Sequence, residues 1–131
     1  MNNLNSFIMD GRLAGDPEKK EFENGGSVVK FRVAVNRSYK DAKKEVKEEV
    51  VFIPVDVFGG MGDPCMKYLH KGDSVRVMGR LKEDRWESED KMKHSRIAVV
   101  AERVDFLSKK RKDEVVTIDI ENGETTSAEV V

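Results

Sequence analysis

Apolar and polar residues alternate along most of the first 107 residues, with the two-residue period that is typical of β-strands. The clearest case is SVVKFRVAVNRSY (27–39), in which Val29, Phe31, Val33 and Val35 share one face. The chain is therefore predicted to be all-β. Four further segments have comparable patterns and are predicted as strands, at 4–13, 50–58, 74–86 and 95–107.

The connections between these segments are rich in turn-forming or charged residues. The stretch 15–27 is predicted as a loop around Asn24-Gly25-Gly26. The polar stretch 40–49 fits either a mobile hairpin loop or a short helical turn.

One short segment between the third and fourth predicted strands, GMGDPCMKYLHKG (60–72), has the signals of a helix. Asp63 is a suitable N-cap, Pro64 suits the first turn, and Gly72 is a common stop. Three strands, a short helix and two more strands predict a five-stranded Greek-key barrel of the OB-fold type. The helix is expected to cover one end of the barrel with Cys65, Met66 and Leu69.

The same period directs several aromatic residues to the outside of the predicted barrel. Phe52 and Phe58 share the outward face of the third strand, and Trp86 shares that of the fourth with several basic residues. Tyr39, at the end of the second strand, is a candidate fourth ring. Exposed rings among Lys and Arg suit single-stranded nucleic acids, because bases stack on rings at about 1–3 kcal/mol each. The residues predicted to face inward are Val51, Ile53, Val55, Val57, Val75, Val77 and Leu81.

Two alternatives stay open for these rings. Exposed phenylalanines also pack under a loop or against a partner subunit. In addition, Pro54 lies between Phe52 and Phe58, and a proline within a strand is typical of an edge or a bulge. A bulge there would place the two phenylalanines on opposite faces.

The net charge of −1 by itself argues against a polyanionic partner. The distribution of charge along the chain changes this conclusion. All 24 Lys and Arg residues lie in 1–112 with 19 of the 25 acidic residues, so that part carries +5. Residues 113–131 carry −6. An acidic end can compete for a basic surface, or it can simply aid solubility. The chain is therefore divided into a domain at 1–107 and a flexible tail, first basic and then acidic, at 108–131.

The cysteine count and hydropathy favour a soluble cytoplasmic protein. Cys65 is the only cysteine, which excludes an internal disulfide and suits a reducing compartment. No apolar run approaches the roughly 18 residues of a membrane span, and the N-terminus lacks the features of a signal peptide. No cofactor and no metal are expected. His70 and His94 have no metal-ligand spacing to each other or to Cys65.

Four segments, in order, resemble the bacterial single-stranded DNA-binding proteins of replication and repair. NNLNSFIMDGRLAGDPE (2–18) resembles their opening strand, and FRVAVNRSYKD (31–41) resembles their second strand. FIPVDVFG (52–59) takes the place of their aromatic segment ending in Phe-Gly. KYLHKGDSVRVMGRLKEDRW (67–86) resembles the stretch that ends in their tryptophan.

The resemblance implies an OB-fold that binds and protects single-stranded DNA with little sequence preference, without catalysis. It implies a nucleoid-associated homotetramer, with a dimer as the alternative, and a role in replication, recombination and repair. The implied stacking residues are Tyr39, Phe52, Phe58 and Trp86. The implied phosphate contacts come from a subset of Arg12, Lys30, Arg37, Lys40, Lys43, Lys44, Arg76, Arg80, Lys82, Arg85 and Lys93.

Three departures from the family pattern limit what is carried over. Ile53-Pro54 replaces a common His-Arg in a region of subunit contacts, which affects the expected tetramer. Asp10 replaces an aliphatic residue and requires a polar partner or an outward bend. The ending TTSAEVV lacks Ile-Pro-Phe, so recruitment of replication and repair proteins through the tail is in question. A phage, plasmid or otherwise divergent member fits these features.

Two other function classes were weighed. An enzyme is disfavoured, since most carboxylates lie beside Lys or Arg and GGMGDP lacks the Lys-Ser/Thr of a phosphate-binding loop. An OB-fold that binds RNA or acts as a primosome adaptor is the main alternative, because no residue pattern senses a 2′-hydroxyl.

Overall fold

Antiparallel pairing of long neighbouring strands dominates the fold, as the alternation predicts. The computed structural model describes residues 2–107, together with the backbone of 114–119 and 124–129. The elements of the first range are β1 (Phe7–Leu13), β2 (Glu18–Glu21), β3 (Ser27–Lys40), β4 (Val46–Phe58), a 3-10 turn (Gly59–Met61), α1 (Gly62–Tyr68), β5 (Ser74–Glu87) and β6 (Lys93–Phe106).

Five of these strands close into a barrel. β3 pairs with β1 and β4, β1 pairs with β5, and β5 pairs with β6, all in antiparallel fashion. β6 then returns to β4 in parallel, with Val99 opposite Val55 and Val100 opposite Asp56. The predicted five-stranded OB-fold barrel, with one short helix between β4 and β5, is confirmed.

The barrel interior is filled mainly by valines at alternate strand positions. Val29, Val33, Val55, Val75 and Val77 are completely buried or nearly so, as the two-residue period predicts. Each side chain removed from water contributes to stability, at about 25 cal/mol per Å² of apolar surface. This core fixes the register of the strands and therefore the direction of every outward side chain.

The β3–β4 hairpin extends beyond the barrel, and this corrects part of the predicted core. Its thirteen residue pairs run without interruption from Val28–Phe58 to Lys40–Val46. Val51 has the inward parity but is 51% exposed, because the hairpin has left the barrel at that point. Leu81 was also predicted to face inward. It is exposed, near the part of β5 that extends beyond the barrel. The stretch 40–49, predicted as a polar connection, is therefore largely strand. β3 continues to Lys40, β4 begins at Val46, and a turn lies between them.

The short helix covers the barrel end, although its start differs from the prediction. Met61 precedes the first helical residue, so Asp63 lies inside the first turn and accepts a hydrogen bond from Lys19. Cys65 and Leu69 are buried in the core as predicted, whereas Met66 is exposed. Among the described residues, no helix is long and apolar enough to cross a membrane.

β2 is a strand that the sequence pattern did not predict. Its four residues, EKKE, are all exposed and pair with β3, with Glu18 opposite Lys30 and Glu21 opposite Ser27. Without an apolar face, such an edge strand has no alternation to detect. It widens the sheet beside β3 and brings Lys19 to the helix.

Gly79 permits the close contact of β5 and β6 at a β-bulge. The pairing shifts between Met78 and Gly79, so that Glu102 is the extra residue on β6. A methyl group at Gly79 would lie 2.0 Å from the carbonyl oxygen of Val100. Beyond this point the β5–β6 hairpin forms a second long ribbon, which ends near Trp86.

The predicted tail contains two further strands, which the sequence analysis did not predict. β7 (Glu114–Asp119) pairs antiparallel with β6, and β8 (Glu124–Glu129) pairs antiparallel with β7. β7 coincides with VVTIDI, the only alternating patch in that part of the sequence. Residues 108–113, 120–123 and 130–131 lie outside the described residues, and the division into a domain and a flexible tail stays a prediction.

Candidate nucleic-acid interface

Phe52 and Phe58 lie on one outward face of β4. The β3–β4 register is unbroken, and Pro54 pairs with Arg32 without a bulge. Both phenylalanines are more than two-fifths exposed. The ambiguity that Pro54 introduces in the sequence is thereby removed, and both rings face the same side.

Trp86 belongs to the same face, which we call the ring face. Asp56 of β4 lies opposite Val100 of β6. His94 has the same parity as Val100 on β6, and it lies opposite Trp86 of β5. Paired residues project to the same side of a sheet. The ring face is therefore the outward surface of β3, β4, β5 and β6 that carries Phe52, Phe58 and Trp86.

A buried carboxylate lies at the centre of the ring face. The side chain of Asp56 is 1% exposed, and it contacts cations from three strands. The Nζ of Lys82 is 2.9 Å from Oδ2, an Arg96 nitrogen is 3.4 Å from the same oxygen, and the Nζ of Lys30 is 3.8 Å from Oδ1. A charge buried in this way needs such partners, because its desolvation is unfavourable.

A second acid, Asp84, links two of these cations at the surface. It lies 3.3 Å from Lys82 and 3.2 Å from Arg96. Partial burial alone lowers the pKa of Lys82, but its bonds to Asp56 and Asp84 outweigh burial and raise that pKa. Burial alone raises the pKa of Asp84, but Lys82 and Arg96 outweigh burial and lower it. Both groups are therefore charged at neutral pH.

Two of the rings are paired with cations. The ammonium of Lys82 lies 4.9 Å from the ring centre of Phe58, and the guanidinium of Arg32 lies 4.8 Å from that of Phe52. Both separations are within cation–π range. Each pair brings a positive charge beside an exposed ring, which is the combination that a base and its adjoining phosphate require.

Tyr39 does not lie on the ring face, in contrast to the expectation of four rings on one side. It pairs with Lys47, whereas Phe52 pairs with Ala34, so the two rings project from opposite sides of the hairpin. The Tyr39 ring is 5.6 Å from the guanidinium of Arg37, which also bonds Glu49. The β3–β4 pairing has no bulge, so Tyr39 keeps the parity of the core residues of β3. It therefore projects from the side opposite the ring face.

The candidate phosphate contacts are divided between several surfaces. Those with ring-face parity are Arg12, Lys30, Lys40, Arg76, Arg80 and Lys82. Those on the reverse side of a hairpin are Arg37, Arg85 and Lys93. Arg85 bonds Glu83 on that side, although Arg85 and Lys93 also border a shallow recess of about 530 Å³ beside Trp86. Lys43 and Lys44 lie in the turn of the β3–β4 hairpin, where Asp41 accepts backbone hydrogen bonds from Lys43 and Glu45.

Arg76 is held away from the ring face centre by Asp10. Its Nε and Nη2 donate to the two carboxylate oxygens at 2.6 and 2.9 Å. The hydrogen bond from Arg76 lowers the pKa of Asp10. Asp10 thus has the polar partner that the sequence requires, and Arg76 lies roughly 20 Å along β5 from Lys82 at about 3.3 Å per residue.

Four residues of the ring face were not among the predicted contacts. Arg32, Asp56, His94 and Arg96 all lie on the ring face, as their pairing partners show. Strand parity could have found Arg32 and Arg96, because both share a face with a predicted ring. A recess of about 340 Å³ opens beside Asp56 and is lined by three cations, Lys30, Arg32 and Arg96.

Comparison with known proteins agrees with this geometry. The model of the single-strand binding protein family matches residues 4–107. The chain belongs to this family. It is a family of DNA-binding proteins rather than of enzymes.

Individual relatives and solved structures give the same assignment. A single-stranded DNA-binding protein of Aquifex aeolicus is 37% identical over 112 residues, covering 86% of this chain and 76% of the relative. One from Staphylococcus aureus is 36% identical over 111 residues, covering 85% and 70%. The structure of a Plasmodium falciparum SSB complex with ssDNA has a TM-score of 0.70 and 26% identity, covering 77% of this chain and 89% of that one.

Proposed function

We propose that this chain binds single-stranded DNA through the ring face, without catalysis. The observation that carries the proposal is the presence of Phe52, Phe58 and Trp86 on one surface with cations between them. Bases stack on the rings, and Lys30, Lys82 and neighbouring cations contact the phosphates. Stacking reads no base edge, so little sequence preference is expected.

The cellular role follows from the family. A protein that covers unpaired bases protects the strand and keeps it from pairing, which suits replication, recombination and repair. The relatives named as single-stranded DNA-binding proteins support this role. No sequence-reading pocket is required for it.

The phosphate contacts are proposed in two groups. The first group lies on the ring face or, in the case of Arg12, beside it on β1, and is expected to contribute to every bound strand. It comprises Arg12, Lys30, Lys40, Arg80 and Lys82. The second group comprises Arg37, Lys43, Lys44, Arg76, Arg85 and Lys93, and is expected to contribute less.

Tyr39 is proposed as a peripheral stacking residue on the other side of the β3–β4 hairpin. It is 41% exposed, so a strand that wraps around the hairpin edge has access to it. We expect its replacement to affect long oligonucleotides more than short ones.

Self-association is the second part of the proposal. Ile8 is 63% exposed on β1, and Val50 and Val51 are exposed on the outer part of β4. Apolar surface of this kind suits contact with further copies of the chain. We propose a homotetramer, and sedimentation analysis is expected to give about four times the 14.9 kDa of one chain. A mass of one chain at micromolar concentration would contradict this, and twice the mass would indicate a dimer.

The test of DNA binding uses intrinsic fluorescence. Trp86 is the only tryptophan, so the emission of the protein reports on the ring face alone. Oligo-dT at low salt is expected to quench this emission to saturation, and the salt dependence of the binding constant counts phosphate contacts. Duplex DNA of the same length is the control, and poly-U in competition measures preference over RNA. Unchanged emission with excess oligo-dT would refute the proposal.

A further inference from the structure

Asp56 is an anion placed where the cations of the ring face converge. Lys30, Lys82 and Arg96 come from β3, β5 and β6, and all three reach its carboxylate within 3.8 Å. The oxygens of a DNA phosphate accept hydrogen bonds from the same kinds of cationic donor. The carboxylate thus occupies the inner side of a cation cluster whose outer side faces solvent.

The three cations are accessible to an external anion. The exposed fractions of their side chains are 41% for Lys30, 25% for Lys82 and 32% for Arg96, against 1% for Asp56. Each cation can therefore reach a phosphate. Its positive charge is already partly neutralised by Asp56 on the inner side of the cluster. The attraction between a cation and a phosphate falls when a carboxylate lies within 4 Å of the same cation.

Lys82 and Arg96 have other contacts besides those with Asp56. Asp84 bonds both of these side chains at 3.2–3.3 Å, and Lys82 also lies over the Phe58 ring. These contacts do not involve Asp56 and would remain without it. For these two cations the effect of Asp56 is therefore mainly electrostatic, whereas Lys30 has its ion pair with Asp56 itself.

We propose that Asp56 competes with DNA phosphates for Lys30, Lys82 and Arg96, and so limits the affinity of the ring face. The inference rests on the proposed function, since it assigns a regulatory residue to the same surface. A strand held less tightly is released more readily, which suits a protein that must leave DNA when other proteins act on it. The competition also reduces the number of counterions exchanged on binding.

The test replaces the carboxylate by an amide of the same shape. Asp56→Asn is expected to bind oligo-dT about threefold more tightly, or more, at low salt. The slope of log K against log salt is expected to steepen by about 0.7 for each cation that is released. The control is Glu23→Gln, which removes the same charge from the exposed β2–β3 turn and should change neither quantity appreciably. Equal or weaker binding by folded Asp56→Asn, with a slope no steeper than the original, would overturn the proposal.

A second measurement keeps Asp56 in place. Lys82→Gln is expected to reduce the salt slope by clearly less than Arg80→Gln, because both cations lie on the ring face and only Lys82 contacts Asp56. A larger reduction for Lys82→Gln would contradict competition, whether or not Asp56→Asn folds. Failure of the original protein to bind oligo-dT would refute the proposed function itself, whereas normal binding with unaltered slopes would refute only the role of Asp56.

Discussion

His94 stacks against the indole of Trp86, with ring centroids 5.5 Å apart and planes inclined by 24°. The two residues are directly paired across β5 and β6, and the Nε2 atom of His94 lies 3.1 Å from the Oγ of Ser88. The imidazole therefore supports one side of a tryptophan that is still 48% exposed. This leaves indole surface free for a base while its orientation is restricted.

Replacing His94 should weaken binding although no contact of His94 with DNA is required. His94→Ala is expected to lower the affinity for oligo-dT by about 0.5–1.5 kcal/mol, the usual contribution of an aromatic pair. Fluorescence titration measures the change, and the unbound emission of Trp86 should also shift. His70→Ala, in the segment after α1, is the matched control. Equal affinities for both variants would contradict the supporting role.

Trp86 itself should contribute to binding and little to stability. Trp86→Ala is expected to weaken binding by about 1–3 kcal/mol, because one stacked base is lost. Fluorescence anisotropy of a labelled oligonucleotide measures this without the tryptophan, and Trp86→Phe should recover part of the affinity. A large fall in melting temperature would instead assign Trp86 to the core.

The Asp10–Arg76 pair should make stability depend on acidic pH. The hydrogen bond from Arg76 holds the pKa of Asp10 below its ordinary value of 3.8. The pair therefore stabilises the fold fully above that value, and the stabilisation is lost as pH falls through the lower pKa of the folded state. The melting temperatures of the original chain and Asp10→Asn are expected to differ at about pH 6 and to converge only as the pH falls through the lowered pKa of Asp10, below its ordinary value of 3.8. A constant difference would show that the carboxylate charge is not responsible.

Gly79 should be intolerant of a side chain. A methyl group there would approach backbone atoms of Val100 and Ala101, at 2.0–3.1 Å, and backbone cannot move aside as a flexible side chain can. Gly79→Ala is expected to reduce the free energy of unfolding by about 1–3 kcal/mol in urea denaturation. Gly15→Ala, with no atom within 4 Å of the new methyl group, is the control. Equal effects of the two substitutions would contradict this packing argument.

Cys65 should be unreactive in the folded protein. Burial raises the pKa of its thiol to about 12, so very little thiolate forms at neutral pH. Iodoacetamide is expected to modify the native chain slowly and the urea-unfolded chain rapidly, as measured by mass spectrometry. Rapid modification without denaturant would indicate that α1 opens readily.

Alternation predicts the barrel strands, and it places Phe52 and Phe58 on one face only once the β3–β4 register shows that Pro54 causes no bulge. It could not reveal where a hairpin leaves the barrel, since Val51 has the same parity and residue type as Val55. The pattern also passed over β2, whose EKKE sequence has no apolar side. Periodicity records which face a residue occupies, but not how far the opposite layer extends.

The candidate site could be predicted only in part, because periodicity does not show which distant residues come together. Trp86 and Lys82 follow from parity, and both lie on the ring face. Tyr39 has the same parity in β3 as the buried Val33, so alternation within that strand already assigns it to the side opposite Phe52. The role proposed for Asp56 depends on cations from three strands, and no local pattern contains them.

The two ribbons that carry Phe52 and Trp86 extend from the barrel without contributing much to its interior. Because side chains alternate along them, adding two residues to each strand would lengthen a ribbon and leave every outward residue outward. An addition of one residue to a single strand would instead reverse the side chains beyond it. Variation in ribbon length can therefore tune how much nucleic acid the protein covers, in steps that leave the fold of the core unchanged.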